Sequence, residues 1–499
     1  MACPGDSTFI CGGDLAYSAY DIDSEAAPPT PTPPGPLSSC SSKATVRYAS
    51  TIIYVEGGGC ATLTDVYDAQ PLADGEDQVV FVTDAESNKK DAGTLPTGYW
   101  LIARDMWITE GSTLYIHGEA SGGDADVVRL QSNGEDDFYE VRGYGGNLYF
   151  ENTKVTSWDT YLNKEQEKYE GGRSFINCVS EKLGPEDCDG VAKKDMGECR
   201  MDIIDSVMGN MGWFDAESYG ITWKVRGFCK DLSNPEVFDR TNVYGDMLNS
   251  EIYGMYYGHY SYGHQGGVWS NNVVHDNILY GFDPHDDSDY CTISNNTVYG
   301  NGNHGIIASK RCNNIKIYNN EVYGGGEGAV GIFLHLSSDN GKIYGNYVHD
   351  MMDAGVAVLE SMDSEIYDNT FEDVKYGVRL SVGSAGNSIY RNTLAACSDA
   401  GMLIYKGSDT PDASDAWNGR PRNNVFNLNV VSNTMIGAKI TEGDDNAFTS
   451  NVFTGTDTLE FEDATAIRWS DNLLPSGTCI DGNDDFDFTS DSTPPPFCE

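Results

Sequence analysis

Short apolar and polar stretches alternate along this chain, and between residues 245 and 455 two markers recur in phase. Asparagine, usually followed by a β-favouring pair, stands at Asn272, Asn296, Asn320, Asn346, Asn369, Asn392, Asn429 and Asn451, at intervals of 24, 24, 26, 23, 23, 37 and 22. In step with it, a glycine opens a short alternating strand at Gly281, Gly305, Gly331, Gly355, Gly377 and Gly401. No 3.6-residue period fills the remainder of each unit, and the Leu-x-x-Leu-x-Leu frame of a leucine-rich repeat is missing, so the spacing predicts β-coils of three short strands. Coils stacked about 4.8 Å apart would align the asparagines into a ladder that satisfies turn backbone groups. The long interval holds an insertion at residues 408–422.

The expected fold is all-β, a right-handed parallel β-helix (a single-stranded solenoid) over residues 96–470. Ser112-Thr113-Leu114-Tyr115-Ile116, Gly146-Asn147-Leu148-Tyr149-Phe150 and Met201-Asp202-Ile203-Ile204-Asp205 read as earlier, less regular coils. Residues 43–95 are expected to form an N-terminal cap region, because an uncovered terminal coil exposes an unpaired strand edge. Residues 471–499 form an acidic, proline-containing tail. Residues 25–42, with the run APPTPTPPGPLSS, cannot build a core and read as a Pro/Thr-rich linker. Ahead of it, Cys3-Pro4-Gly5-Asp6, Ile10-Cys11-Gly12-Gly13 and Ala16-Tyr17-Ser18-Ala19-Tyr20 resemble the closing strand of a WSC-type carbohydrate-binding domain, so residues 1–24 are expected to be its C-terminal remnant.

Among 499 residues, 56 are glycine and 30 tyrosine, which suits many short strands joined by tight turns. Lys plus Arg number 31 against 77 Asp plus Glu, a formal charge of -46. This balance excludes a nucleic-acid partner, since phosphates need a basic footprint. It does not exclude a polyanion held in a locally basic groove, because salt screens the acidic body beyond about 8 Å. Thirteen cysteines without metal-type CxxC pairs fit an oxidising compartment, with Cys479 and Cys498 placed to close a terminal loop and one cysteine left over. No apolar run nears the roughly 20 residues that span a bilayer, and no signal-like segment follows Met1. The expectation is a secreted monomer, extracellular or in a cell wall, whose signal segment is absent from this chain. The sequon Asn295-Asn296-Thr297 falls in the ladder, where a structural role is expected instead of modification.

Stacking converts the repeat into a surface map. The first and third positions after each marker glycine are apolar and face the core: Phe282 and Pro284, Ile306 and Ala308, Ile332 and Leu334, Val356 and Val358. The second and fourth then face outward: Asp283 and His285, Ile307 and Ser309, Phe333 and His335, Ala357 and Leu359, Arg379 and Ser381. The preceding coil adds Tyr260 and Tyr262. One strip thus gathers Tyr, Asp and His, flanked by Tyr280, His304, Lys310 and Arg311, and suits a linear sugar chain.

The hexapeptide Tyr280-Gly281-Phe282-Asp283-Pro284-His285 resembles the active-site signature of mannuronan C5-epimerases. The following Asp286-Asp287-Ser288 and His304-Gly305-Ile306-Ile307-Ala308-Ser309-Lys310-Arg311-Cys312 strengthen the likeness toward the algal branch. With Trp223-Lys224-Val225-Arg226-Gly227 and Tyr256-Tyr257-Gly258-His259-Tyr260-Ser261-Tyr262-Gly263, the resemblance extends over most of residues 100 to 455. It implies a C5 inversion that turns mannuronate into guluronate within alginate, with His285 and Tyr280 as the proton-transfer pair. Asp283 would orient the site or share a proton with the substrate carboxylate, and Lys310 or Arg311 would neutralise that carboxylate as the aci-form develops. His304, His335, Phe333, Tyr260, Tyr262, Lys224 and Arg226 would bind the polymer.

No metal ligand is singled out and no cofactor is certain, with calcium left open. The family's secreted bacterial modules typically carry an acidic residue where His304 stands, and its periplasmic bacterial enzyme carries arginine where Lys310 stands. Calcium-loaded Gly-Gly-x-Gly-x-Asp tracts are missing. Two other readings compete: a polyuronate lyase acting by β-elimination, and a non-catalytic wall-binding β-helix.

Overall fold

The computed structural model describes residues 38, 40–71, 79–82, 98–134, 137–181, 196–215, 218–226, 241–407, 418–482 and 485–498. The WSC-like segment, most of the linker and residues 408–417 of the insertion lie outside the described residues. The chain divides into two compact units, with the boundary between Val273 and Val274.

Each unit is a stretch of parallel β-helix in which successive coils give one short strand to each of three sheets. In the second unit the first sheet stacks Phe282–His285, Ile306–Ser309, Ile332–His335, Ala354–Leu359, Tyr376–Ser381 and Ala400–Tyr405, all parallel. Ile306, Ile332, Val356, Val378 and Met402 align in register and are fully buried, as strand alternation requires. The second sheet begins with Thr292–Ser294, Lys316–Tyr318 and Lys342–Tyr344, and the third with Thr297–Tyr299, Glu321–Tyr323 and Tyr347–His349.

The marker glycines answer to space. A Cβ on Gly281 would lie 2.5 Å from the carbonyl oxygen of Gly305, and one on Gly305 would lie 2.8 Å from that of Gly331. Even alanine would push the coils apart at this column.

The asparagine ladder forms as the spacing predicts. The backbone N–H and the side-chain Nδ2 of Asn296 both donate to Oδ1 of Asn320, each at 2.9 Å, and the pattern repeats to Asn346, Asn369, Asn392, Asn429, Asn451 and Asn472. A second ladder runs through Asn387, Asn424 and Asn446. One coil earlier a serine holds the equivalent corner, with Gly341 N–H donating to Ser364 Oγ and Ser364 N–H donating to Asn387 Oδ1. The sequon expectation needs correction. Its acceptor residue, Asn295, is an exposed turn residue with φ 56°, and it is Asn296 that enters the ladder.

Two aromatic columns line the other sheets of this unit. Tyr318, Tyr344, Tyr367 and Tyr390 stack face to face with centroids 4.8 to 5.0 Å apart, as do His275, Tyr299, Tyr323 and His349 at 4.8 to 5.2 Å. Their spacing is the coil spacing, so each ring spends its faces on its neighbours.

The first unit opens with an antiparallel pair, Thr45–Tyr48 on Ile52–Glu56, and a six-residue helix, Leu63–Asp68, which buries Leu63 and Val66. Ile52–Glu56 then pairs in parallel with Asp105–Ile108. The outermost strand is thereby antiparallel and tied by Arg47 to Glu56, a common way to blunt a sheet edge. Disulfides join Cys40 to Cys60, Cys178 to Cys199 and, in the second unit, Cys479 to Cys498, while Cys291, Cys312 and Cys397 are buried outside these pairs. Among the described residues no helix is long and apolar enough to cross a membrane.

Candidate active site

Strand Phe282–His285 buries Phe282, Asp283 and Pro284 and leaves His285 partly exposed, so the expected outward Asp283 is covered by its neighbours. The alternation ends there. Asp286 and Asp287 adopt positive φ of 28° and 57°, and one coil later Lys310 and Arg311 do the same at 62° and 61°. The two corners stack, with Asp286 N–H donating to Ser309 O and Asp287 N–H donating to Lys310 O. This left-handed corner recurs at Leu336 and Ser337, so it belongs to the coil and the site exploits it.

The corner brings four charged groups back over the strand. Asp286 Oδ2 meets His285 Nδ1, and Arg311 clamps both neighbours, with Nη2 3.0 Å from Asp286 Oδ1 and 2.7 Å from Asp287 Oδ2. The sequence left the duty of neutralising the substrate open between Lys310 and Arg311. The structure spends the Arg311 guanidinium on Asp286 and Asp287, while the charge of Lys310 is felt by Asp283, Asp286 and His335.

Asp283 is wholly buried, and its Oδ1 has no hydrogen-bond partner. Burial, reinforced by Asp286 and opposed by His285 and Lys310, pushes its carboxyl up to about 7. Burial also works against the charge on Asp286, yet His285, Lys310 and Arg311 hold that carboxyl below its usual range. Two adjacent acids are thus driven apart, one able to carry a proton near neutrality and one held ionised.

Burial likewise lowers His304 to about 3 and His335 to about 4, so both are neutral imidazoles at neutral pH. Val330 N–H donates to His304 Nδ1 at 3.0 Å, which places the ring proton on Nε2. His335 Nδ1 shares a 2.9 Å hydrogen bond with Ser309 Oγ. Tyr280 stacks on His304 with centroids 5.4 Å apart, and Phe333 meets His304 edge-on at 5.2 Å. Beneath them Ile307, Phe333 and Ala357 form an apolar floor against which Tyr280 and Leu359 pack.

The second unit therefore brings together Tyr280, Asp283, His285, His304, Lys310, Arg311, Phe333 and His335. The remaining expected residues lie together on the first sheet of the first unit. Gly220–Arg226 pairs with Tyr257–Tyr262, Lys224 is in register with Tyr262, and its Nζ lies 5.7 Å from that ring. Arg226 is lowered by burial and by Arg142, against the pull of Tyr144, Glu140 and Glu181.

Asp286 was not foreseen as a partner of His285, because strand alternation says nothing about a left-handed corner. Among the described residues no three His, Cys, Asp or Glu side chains gather as a metal site, and the adjacent carboxylates Asp286 and Asp287 face Arg311.

The raised carboxyl of Asp283 has a measurable signature. Between its ordinary value of 3.8 and about 7 the folded chain keeps a proton that the unfolded chain has released, so stability falls as pH climbs through that window. Asp283→Asn cannot ionise, so it is expected to melt higher than the wild type near pH 8 and no higher near pH 4. Thermal melts across this range check it, and equal melting temperatures near pH 8 would refute a buried, proton-retaining carboxyl.

Comparison with known proteins follows the same lines. Residues 237–402 match the family described as periplasmic copper-binding protein (NosD). A mannuronan C5-epimerase of Pseudomonas fluorescens is 29% identical over 143 residues, 29% of this chain and 23% of the relative. The mannuronan C5-epimerase AlgG of Azotobacter vinelandii is 27% identical over 203 residues, 41% of this chain and 33% of the relative.

The chain is similar to mannuronan C5-epimerases. Its matches span a quarter to a third of those relatives' lengths. The crystal structure of the periplasmic alginate epimerase AlgG superposes with a TM-score of 0.60 at 19% identity, covering 85% of both chains, and has the same fold.

Proposed function

We propose that this chain inverts C5 of β-D-mannuronate residues within alginate, giving α-L-guluronate. The observation that carries the reading is the placement of a buried, proton-retaining Asp283 beside His285, which meets Asp286.

The C5 proton of a uronate becomes acidic only when the adjoining carboxylate loses its charge. Asp283, carrying its proton, and the Lys310 ammonium meet that carboxylate and stabilise the aci-form. With Nδ1 directed at Asp286, His285 uses Nε2 to take the C5 proton from one face. The Tyr280 hydroxyl gives its own proton to C5 from the opposite face, leaving a phenolate. Solvent then removes the proton from His285 and restores the one on Tyr280, closing the cycle without net change in protons. His304, fixed as a neutral Nε2–H donor, binds sugar oxygens in the strip.

The epimerase names of the curated relatives support this substrate. The three disulfides among the described residues support a compartment outside the reducing cytosol.

Proton NMR of polymannuronate incubated with the protein in heavy water is expected to show guluronate carrying deuterium at C5 with chain length preserved. Unsaturated, ultraviolet-absorbing ends and shorter chains would instead identify a lyase. Binding without either product would identify a non-catalytic solenoid.

A further inference from the structure

Asparagine is abundant in this chain and often followed by threonine, yet only one Asn-x-Ser/Thr motif occurs in the 499 residues, Asn295-Asn296-Thr297. The coil explains how such a motif arises. In the second unit the turn from the second sheet to the third runs through a left-handed residue, then the ladder asparagine, then the first residue of a third-sheet strand. The left-handed position is held by Asn295, Asn319, Gly345, Asp368, Arg391, Leu428 and Ser450, with φ between 53° and 64°. Asparagine tolerates that conformation better than most residues, and threonine suits the start of a strand, so both halves of the motif are what the turn prefers.

The two halves nonetheless meet once. Where threonine opens the strand, at Thr370 and Thr393, the left-handed residue is Asp368 or Arg391, which pair with each other. Where it is Asn319, the strand opens with Glu321.

Asn295 is exposed, and its surroundings differ from those of the coils that follow. In the next four coils a stacked tyrosine precedes the left-handed residue: Tyr318, Tyr344, Tyr367 and Tyr390. Before Asn295 stands Ser294, in register with Tyr318. A sugar ring on Asn295 therefore has a serine beside it where each of those turns has a phenol ring. The ladder does not use this side chain, since Asn296 supplies the rung to Asn320, and the backbone N–H of Asn295 donates to Tyr318 O whatever the side chain carries. The disulfides fit maturation in an oxidising lumen, the compartment in which asparagine-linked glycans are added.

We propose that Asn295 carries an asparagine-linked glycan. Its donor is a sugar chain on a lipid pyrophosphate. Asn295 Nδ2 attacks C1 of the first sugar, the new N–C1 bond replaces the C1–O bond to the pyrophosphate, the amide loses one proton to a base, and the lipid pyrophosphate leaves. The transferring enzyme reads the hydroxyl of Thr297. In the folded coil Asn296 is bonded to Asn320 and Thr297 is paired with Glu321, so the transfer belongs to the chain before it folds. The assignment stands whether or not the epimerase reading does.

The test is made on the whole chain secreted from eukaryotic cells. Enzymatic release of asparagine-linked glycans is expected to raise gel mobility and to leave aspartate at position 295, read by peptide mass. Asn295→Gln and Thr297→Val should lose the shift, while Thr297→Ser, which keeps the hydroxyl, should retain it. Wild-type protein in which most molecules keep an unmodified Asn295, from cells that glycosylate their other secreted proteins, would overturn the assignment. So would a shift that persists in both Asn295→Gln and Thr297→Val. Thr297→Val leaves Asn295 and the ladder in place, so it reports on the motif even if Asn295→Gln fails to fold.

Discussion

His285→Asn should lower kcat on polymannuronate by a factor of about 100 to 10,000, the range a positioned proton-transfer group contributes. Asparagine is the informative replacement. It is close in volume to the first half of the imidazole, and its Nδ2 can keep a hydrogen bond to Asp286, so the left-handed corner and the Arg311 clamp have no reason to move. What disappears is the second ring nitrogen, and with it the base placed to take the C5 proton. Incorporation of deuterium at C5 should vanish together with guluronate, because both need the same proton removal. Polymer affinity should stay within a few-fold, since the floor of Ile307, Phe333 and Ala357 is untouched. Full activity in this variant would remove His285 from the chemistry.

Asn369→Ala should destabilise the second unit by about 3–5 kcal/mol, seen as a lower melting temperature. The side chain is 1% exposed and makes four hydrogen bonds. Its Oδ1 accepts from the backbone N–H and the Nδ2 of Asn346, and its Nδ2 donates to Ile343 O and Asn392 Oδ1. Alanine takes a bond from each of the four in a place water does not reach. It leaves the Asn346 N–H unpartnered, while Asn346 Nδ2 keeps Ile317 O and Asn392 Oδ1 keeps the backbone N–H of residue 369. Each buried unsatisfied group costs about 1–3 kcal/mol before relaxation. Because coils contact only their neighbours, the damage should be local, and hydrogen exchange should rise first around residues 346 to 392. A loss below about 1 kcal/mol would show that the ladder is dispensable.

The repeat between 245 and 455 was legible because asparagine and glycine serve two different needs at fixed offsets. One satisfies a buried corner, and the other leaves room for the carbonyl of the next coil. Earlier coils were blurred for a physical reason. Leu148 is in register with Met201, 53 positions on, so the chain leaves the coil between them and the period disappears from the sequence. The serine-to-asparagine corner at Ser364 and Asn387 escaped notice because two residue types do one job.

In the site, alternation left His285 partly exposed but did not foresee the burial of Asp283, and it stopped being informative at Asp286. The four positive-φ residues that pair Asp286 with His285 and commit Arg311 lie outside any strand pattern.

The tyrosine columns on the second and third sheets of the second unit offer only their rims to the outside, since neighbouring rings cover the broad faces on which a pyranose would rest. Those flanks give a sugar no seat, which leaves the first sheet as a one-sided track. Asn295 sits on the corner between the two flanks, so an oligosaccharide attached there would clothe the back of the protein and leave the track bare.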